Sequence, residues 1–168
     1  QSVFESLKNE IPALSRAKVH ANDWDETSSF ADQALRGDVE GVHLFWNKSI
    51  FSAVYATNLL MRASDLLITK PSELAFYPVP KLHIKRIGGH EAWGAIRSAE
   101  VGDGTIECPS TPQALNMLDL LLNGSEALSM MNESILTAAK SGIYSGAYRA
   151  VQLAVAGTAS LESTGGMK

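Results

Sequence analysis

Only one cysteine, Cys108, occurs in the chain, which excludes an intrachain disulfide, and no Cys/His spacing is present that would build a zinc site. A reducing, cytoplasmic setting is the simplest expectation. A dense Lys/Arg block is missing too. With 14 basic against 18 acidic residues the net charge is −4, which provides no electrostatic footprint for nucleic acid. Against that background only a local basic cluster stands out, Lys81, Lys85 and Arg86. Long apolar runs are also lacking: the longest, Ile50 to Met61, is broken by Ser52, Thr57 and Asn58, so it is too short and too polar to span a bilayer and reads as a buried helix. No initiating Met and no basic-then-apolar leader precede Gln1-Ser-Val-Phe4, and the chain is therefore expected to be a piece of a longer protein. The Gly-x-Ser-x-Gly elbow, the Walker loop and Gly-x-Gly-x-x-Gly are absent, which lowers hydrolase, nucleotide-phosphatase and dinucleotide-binding readings. Nothing calls for a cofactor.

What is present is an ordinary globular composition, 45% hydrophobic and 19% charged over 168 residues, enough for one domain with a core. That domain is expected over residues 1–160, ahead of a flexible tail at 161–168 that includes Glu162-Ser-Thr-Gly-Gly-Met-Lys168. Val3, Phe4 and Leu7 predict a first helix that stops near Pro12, and Ala17 to Ala21 a short strand. A helix from Asp25 to Leu35 ends at Arg36-Gly37-Asp38, before a buried strand at Val42 to Trp46. Ile50 to Arg62 follows as a helix and Asp65 to Thr69 as a strand. Pro71 suits the first turn of a short helix over Ser72 to Phe76, after which Pro80 to Ile84 reads as another strand. Gly88-Gly89 turns the chain into a helix from His90 to about Ser98, and Val101 to Cys108 is expected to be a last short strand. Thr111, as N-cap before Pro112, opens a helix closed by Asn123-Gly124, and helices at Ser125 to Lys140 and Tyr144 to about Ala156 complete a helical C-terminal third. Strands alternating with helices predict an α/β fold: a Rossmann-like parallel sheet flanked by helices, with ligands beyond the carboxyl ends of the strands.

Within this pattern one stretch carries a likeness of order and spacing. Ala63-Ser-Asp-Leu-Leu-Ile-Thr-Lys-Pro71 runs into Ser72-Glu73-Leu74, Glu73 stands seven residues before Pro80, and Gly89-His90-Glu91-Ala92-Trp93-Gly94-Ala95 precedes Val101-Gly-Asp-Gly104. From Ala63 to about Gly157 this resembles the C-terminal, donor-side domain of GT-B glycosyltransferases of the MurG and monogalactosyldiacylglycerol-synthase type (family 28-like). The resemblance implies a single GT-B half-domain that holds a nucleotide-sugar donor and works with an N-terminal Rossmann domain of the same parent protein. It implies hexosyltransferase activity only in that combination, since the catalytic base and acceptor site of such enzymes belong to the other domain. No catalytic residue and no metal ligand is assigned to this chain.

Carried across residue by residue, the resemblance makes Glu73 the ribose ligand and His90 with Glu91 the sugar contacts. The donor-binding set is then Thr69, Lys70, Ser72, Glu73, Gly88, Gly89, His90 and Glu91. Lys70, Lys85 and Arg86 could offset phosphate charge there, or form a solvated basic rim. The chain departs from the family pattern in passing directly from Thr69-Lys70-Pro71 to Ser72-Glu73, without the glycine-rich segment whose amides approach phosphate. Pro71 has no amide to offer, and Gly94 replaces the family's asparagine. These departures support an alternative reading, a degenerate and non-catalytic GT-B-like domain that serves as a structural or partner-binding module, its crevice filled by Phe76, Tyr77 or Trp93. Glu73 also reads as a first-turn acid complementing a helix dipole, His90-Glu91 as a solvated helix start, and His83 as a polar-face or hydrogen-bonded core histidine. Asp23, Asp25 and Glu26 fit a helix N-terminus better than a metal cluster, and Trp24, Trp46 and Trp93 read as packing groups.

Overall fold

A computed structural model describes the backbone of residues 2–164, and the side chains of residues 4–156 apart from Glu73 and Ser125. The chain divides into two compact units, Gln1–Ser64 and Asp65–Lys168. In the first, helix Ser2–Glu10 (α1) and a 3-10 turn at Pro12–Arg16 lead to strand Lys18–Ala21 (β1), helix Trp24–Leu35 (α2), strand His43–Trp46 (β2) and helix Ile50–Met61 (α3). β1 and β2 pair in parallel, Lys18 opposite His43 and Ala21 opposite Trp46, with α2 as the crossover between them. Asn22 takes the left-handed conformation (φ 55°) that asparagine tolerates better than most residues, and its Oδ1 accepts the Lys48 amide at 2.8 Å. One residue later Asp23 caps α2 by accepting the Glu26 amide at 2.9 Å. The acidic trio at 23, 25 and 26 thus marks a helix start, as its sequence suggests.

The second unit opens with strand Leu67–Thr69 (β3), a 3-10 turn at Glu73–Phe76 and strand Lys81–His83 (β4). A 3-10 turn at Gly89–Glu91 runs into helix Ala92–Val101 (α4), and helices Thr111–Asn123 (α5), Ser125–Lys140 (α6) and Gly146–Thr164 (α7) follow, with a 3-10 turn at Ile143–Ser145 before the last. β3 and β4 are parallel, Leu67 opposite Lys81 and Thr69 opposite His83. On the other side of β4 the 103–108 segment makes only isolated parallel bridges, at Gly104 and Cys108. The core is apolar on one face of β4: Leu82 packs with Cys108 and Leu121, flanked by Met117, Leu128 and Met131. Side chains alternate along a strand, so Lys81 and His83 point the other way, and both are nonetheless fully buried. α5 is capped by Ser110, one residue before the expected Thr111. α7 carries the backbone through Thr164, and the remainder of the tail expected at 161–168 lies outside the described residues.

The expected fold class is corrected here. The molecule is mostly helical, 62%, with two separate two-stranded parallel sheets among the described residues and no extended Rossmann-like sheet. The apolar runs read as strands do form strands, of only three or four residues, and β2 and β3, joined through α3, pair with β1 and β4 and not with each other. The last expected strand fails for a local reason: α4 extends through Val101, and Gly102 ends it in the left-handed region (φ 81°). No helix among the described residues is long and apolar enough to cross a membrane.

Candidate functional site

The turns that follow β3 and β4 meet. Lys70, directly after β3, donates its ammonium to Glu91 Oε1, and Glu91 Oε2 accepts the amides of Ile87 at 2.8 Å and Gly88 at 3.2 Å. Glu91 thereby caps the start of its own helix, which is why its side chain is only 6% exposed while still ionised. The Lys70 ammonium first, then the two amides, hold the carboxyl down at about 2. Because this lies below the unfolded value, the clasp stabilises the fold above about pH 4.5 and its contribution is lost as pH falls toward 2. We expect the urea midpoint of the whole chain to fall more between about pH 5 and about pH 3 than that of Glu91→Gln; equal falls would remove Glu91 from this role.

The other residues of the expected donor set are spread around this clasp. Thr69 is buried, and its hydroxyl donates to the Lys70 carbonyl at 3.0 Å. Ser72 precedes the Glu73–Phe76 turn without capping it through its side chain, and Pro71 is buried. Glu73 opens that turn, while its side chain, and with it the ribose assignment, lies outside the described residues. Gly89 and His90 are exposed, the His90 ring folding over Gly88 where a Cβ would stand 2.6 Å from it. Gly94, in place of the asparagine expected from the resemblance, has a structural cause: a Cβ there would lie 2.5 Å from the Pro71 carbonyl oxygen. Of the three residues proposed to fill a crevice, Phe76 and Trp93 are exposed and Tyr77 half-buried, and Trp24 is exposed as well.

The basic cluster dissolves into separate pairs. Lys81 and Asp103 form an ion pair at 3.1 Å, both side chains 0% exposed, and Lys81 also donates to the carbonyls of Tyr77 (2.8 Å) and Val79 (2.9 Å). Asp103 accepts the Tyr144 hydroxyl at 2.7 Å and faces Arg97 at 3.8 Å. Burial pushes the Lys81 ammonium below its ordinary value, with Asp103 opposing, and burial followed by Asp103 pushes the Tyr144 hydroxyl up. Beside them His83 is held neutral, its value lowered to about 4 first by burial and then by Lys81. Neither His83 ring nitrogen has a well-aligned partner, although the Thr69 backbone lies near enough to favour the charged form slightly. Arg86 pairs with Glu107 at 2.9 Å, and Lys85 is exposed.

With this geometry in view, the family of domains of unknown function DUF6938 matches the chain over residues 1–155. The chain belongs to the DUF6938 family. No curated protein matches it significantly. The DUF6938 match spans residues of both compact units.

In that first unit a pocket of about 300 Å³ is lined by Lys18, His20, Glu26, Asp38, Glu40 and His43, among others. Sequence reasoning missed it. The available signal was one histidine in each of two short strands separated by a single helix, which a parallel pairing brings together. Among the described residues no group of three or more His, Cys, Asp or Glu is placed to hold a metal ion.

Proposed function

We propose that the Asp65–Lys168 unit is a non-catalytic binding module, in which the segments resembling a glycosyltransferase donor site serve as a structural element. The observation that carries this reading is the occupation of Glu91: one carboxylate oxygen goes to Lys70 and the other to two backbone amides. A sugar contact needs a carboxylate with free lone pairs, and a diphosphate needs unoccupied amides and a cation. Here the protein's own carboxylate takes the place such an anion would fill. Pro71, buried and without an amide, adds nothing to a phosphate cradle. An interaction role, as opposed to a purely internal one, is supported by the exposure of Ile87 (86%) and Trp93 (73%), which flank the turn that carries Glu91.

Titration of the full chain with nucleoside diphosphate sugars, followed by backbone NMR, tests the proposal. We expect no saturable shift at residues 69–73 and 88–91 up to millimolar ligand. Saturable shifts in both segments would overturn it in favour of a donor-binding half of a glycosyltransferase. Glu91→Ala should release Lys70 and the two amides, so that inorganic pyrophosphate perturbs the variant at concentrations that leave the parent unchanged.

A further inference from the structure

The two histidines at the wall of the Gln1–Ser64 pocket are fixed in one arrangement of hydrogens by their partners. His43 Nε2 meets the Glu40 carbonyl at 3.0 Å; a carbonyl only accepts, so this nitrogen carries the ring's hydrogen and Nδ1 is left as an acceptor. His20 Nε2 lies 2.9 Å from that Nδ1 and donates to it. Two neutral imidazoles satisfy both bonds, and the count leaves His20 Nδ1 without a hydrogen. His20 is only 7% exposed, and its Nδ1 is buried without a hydrogen-bond partner. What stands 2.8 Å from it is a second acceptor, Glu26 Oε1, and no hydrogen bond joins the two. Two sets of lone pairs this close repel each other until a group that donates to both is placed between them.

The rest of the wall selects the charge of that group. Its charged residues are Lys18 from β1, Glu26 from α2, and Asp38 and Glu40 from the segment before β2, three acids to one base, with Arg36 reaching Asp38 at 3.5 Å. Phe30 also lines the pocket, its ring 5.4 Å from that of His20, and an aromatic face attracts cations. A volume of about 300 Å³ is at the small end of ligand-binding cavities, room for a small organic molecule. An anion would meet three carboxylates and a bare lone pair. A metal ion would find too few ligands, since among the described residues no group of three or more His, Cys, Asp or Glu converges on one point.

We propose that this pocket binds a primary ammonium ion, the charged end of a small organic amine, which donates to both His20 Nδ1 and Glu26 Oε1. An ammonium group has three hydrogens and no lone pair, so it satisfies the two acceptors together and leaves a third hydrogen for the rest of the wall. Glu26 stands in the first turn of α2 with its side chain half exposed, free to turn aside as the ligand enters. His43 is a positioning residue: by accepting from His20 Nε2 it keeps the hydrogen on that nitrogen and Nδ1 open to the ligand. Glu40 and Asp38 add attraction at longer range. This site lies in the first unit and does not rest on the reading of the Asp65–Lys168 unit given above.

The test is a titration of the ¹⁵N-labelled full chain with n-butylammonium chloride at about pH 8 and constant ionic strength, read by backbone and histidine-ring NMR. We expect saturation in the millimolar range, with shifts at residues 20, 26 and 38–43, and the hydrogen of both rings on Nε2 throughout. n-Butanol, which lacks the charge, and tetramethylammonium, which lacks the N–H donors, should not saturate there. Glu26→Gln should bind n-butylammonium about tenfold more weakly, because a charge-assisted hydrogen bond is lost. Should that variant fold poorly, Glu26→Asp serves instead: it keeps the charge, draws the carboxylate back from Nδ1, and should weaken binding as well. A hydrogen on His20 Nδ1 in the ligand-free chain would overturn the proposal. So would the absence of saturable shifts at about 100 mM n-butylammonium, equal shifts from either comparison compound, or unchanged affinity in the Glu26 variant.

Discussion

Asp103→Ala is expected to destabilise the chain by about 3–5 kcal/mol, measured as a lower denaturant midpoint for the Asp65–Lys168 unit. The cost comes from what remains behind. Lys81 is fully buried, and without Asp103 its ammonium retains two carbonyl acceptors but no counter-charge, while the Tyr144 hydroxyl loses its acceptor. Burial already lowers the Lys81 value, so the variant's lysine should give up its proton and join the apolar interior only partly satisfied. The double variant Lys81→Met/Asp103→Leu should recover most of the loss, because replacing a buried pair with apolar groups of similar volume is often neutral or stabilising. A loss below about 1 kcal/mol in Asp103→Ala would mean that water screens the pair.

Gly94→Ala is expected to cost about 1–3 kcal/mol by overpacking α4 against the loop after β3. The added methyl would come within 2.5 Å of the Pro71 carbonyl oxygen and 3.4 Å of the Ala75 Cβ. Backbone, and not a mobile side-chain end, is in the way, so α4 or the loop has to shift. Since that loop carries Lys70, the shift should also loosen the bond to Glu91. We expect the amide signals of Ile87 and Gly88 to move in Gly94→Ala, and stability at its parent value with those signals in place would refute the close approach as the reason for glycine.

Helix positions were legible in the sequence because they follow from interactions within a few residues. The apolar face from Phe30 to Leu35 and the Asp23 cap are both local, and the helices expected at 25–35, 50–62 and 125–140 correspond to α2, α3 and α6 with small shifts at their ends, whereas the one expected at 144–156 begins at Gly146, as α7, and runs on through Thr164. The strand-like runs were equally visible, since short apolar segments between turn residues suit extended chain. Their partners were not. An apolar run carries no label for the strand it pairs with, and the expected single sheet became two.

The candidate site divides in the same way. Residue order alone put Lys70 and Glu91 in neighbouring turns, and parallel β3 and β4 bring those turns together. Which charge neutralises which was decided only by the tertiary structure: Lys70 with Glu91, 21 residues apart, and Lys81 with Asp103. Local backbone preference is set by each residue and its near neighbours, so the sequence by itself determined most of the helices and the extended segments, the strand expected at Val101 to Cys108 excepted. The free energy of a buried charge depends on the water it has lost and on partners delivered from distant parts of the chain, and those become known only when the chain is folded.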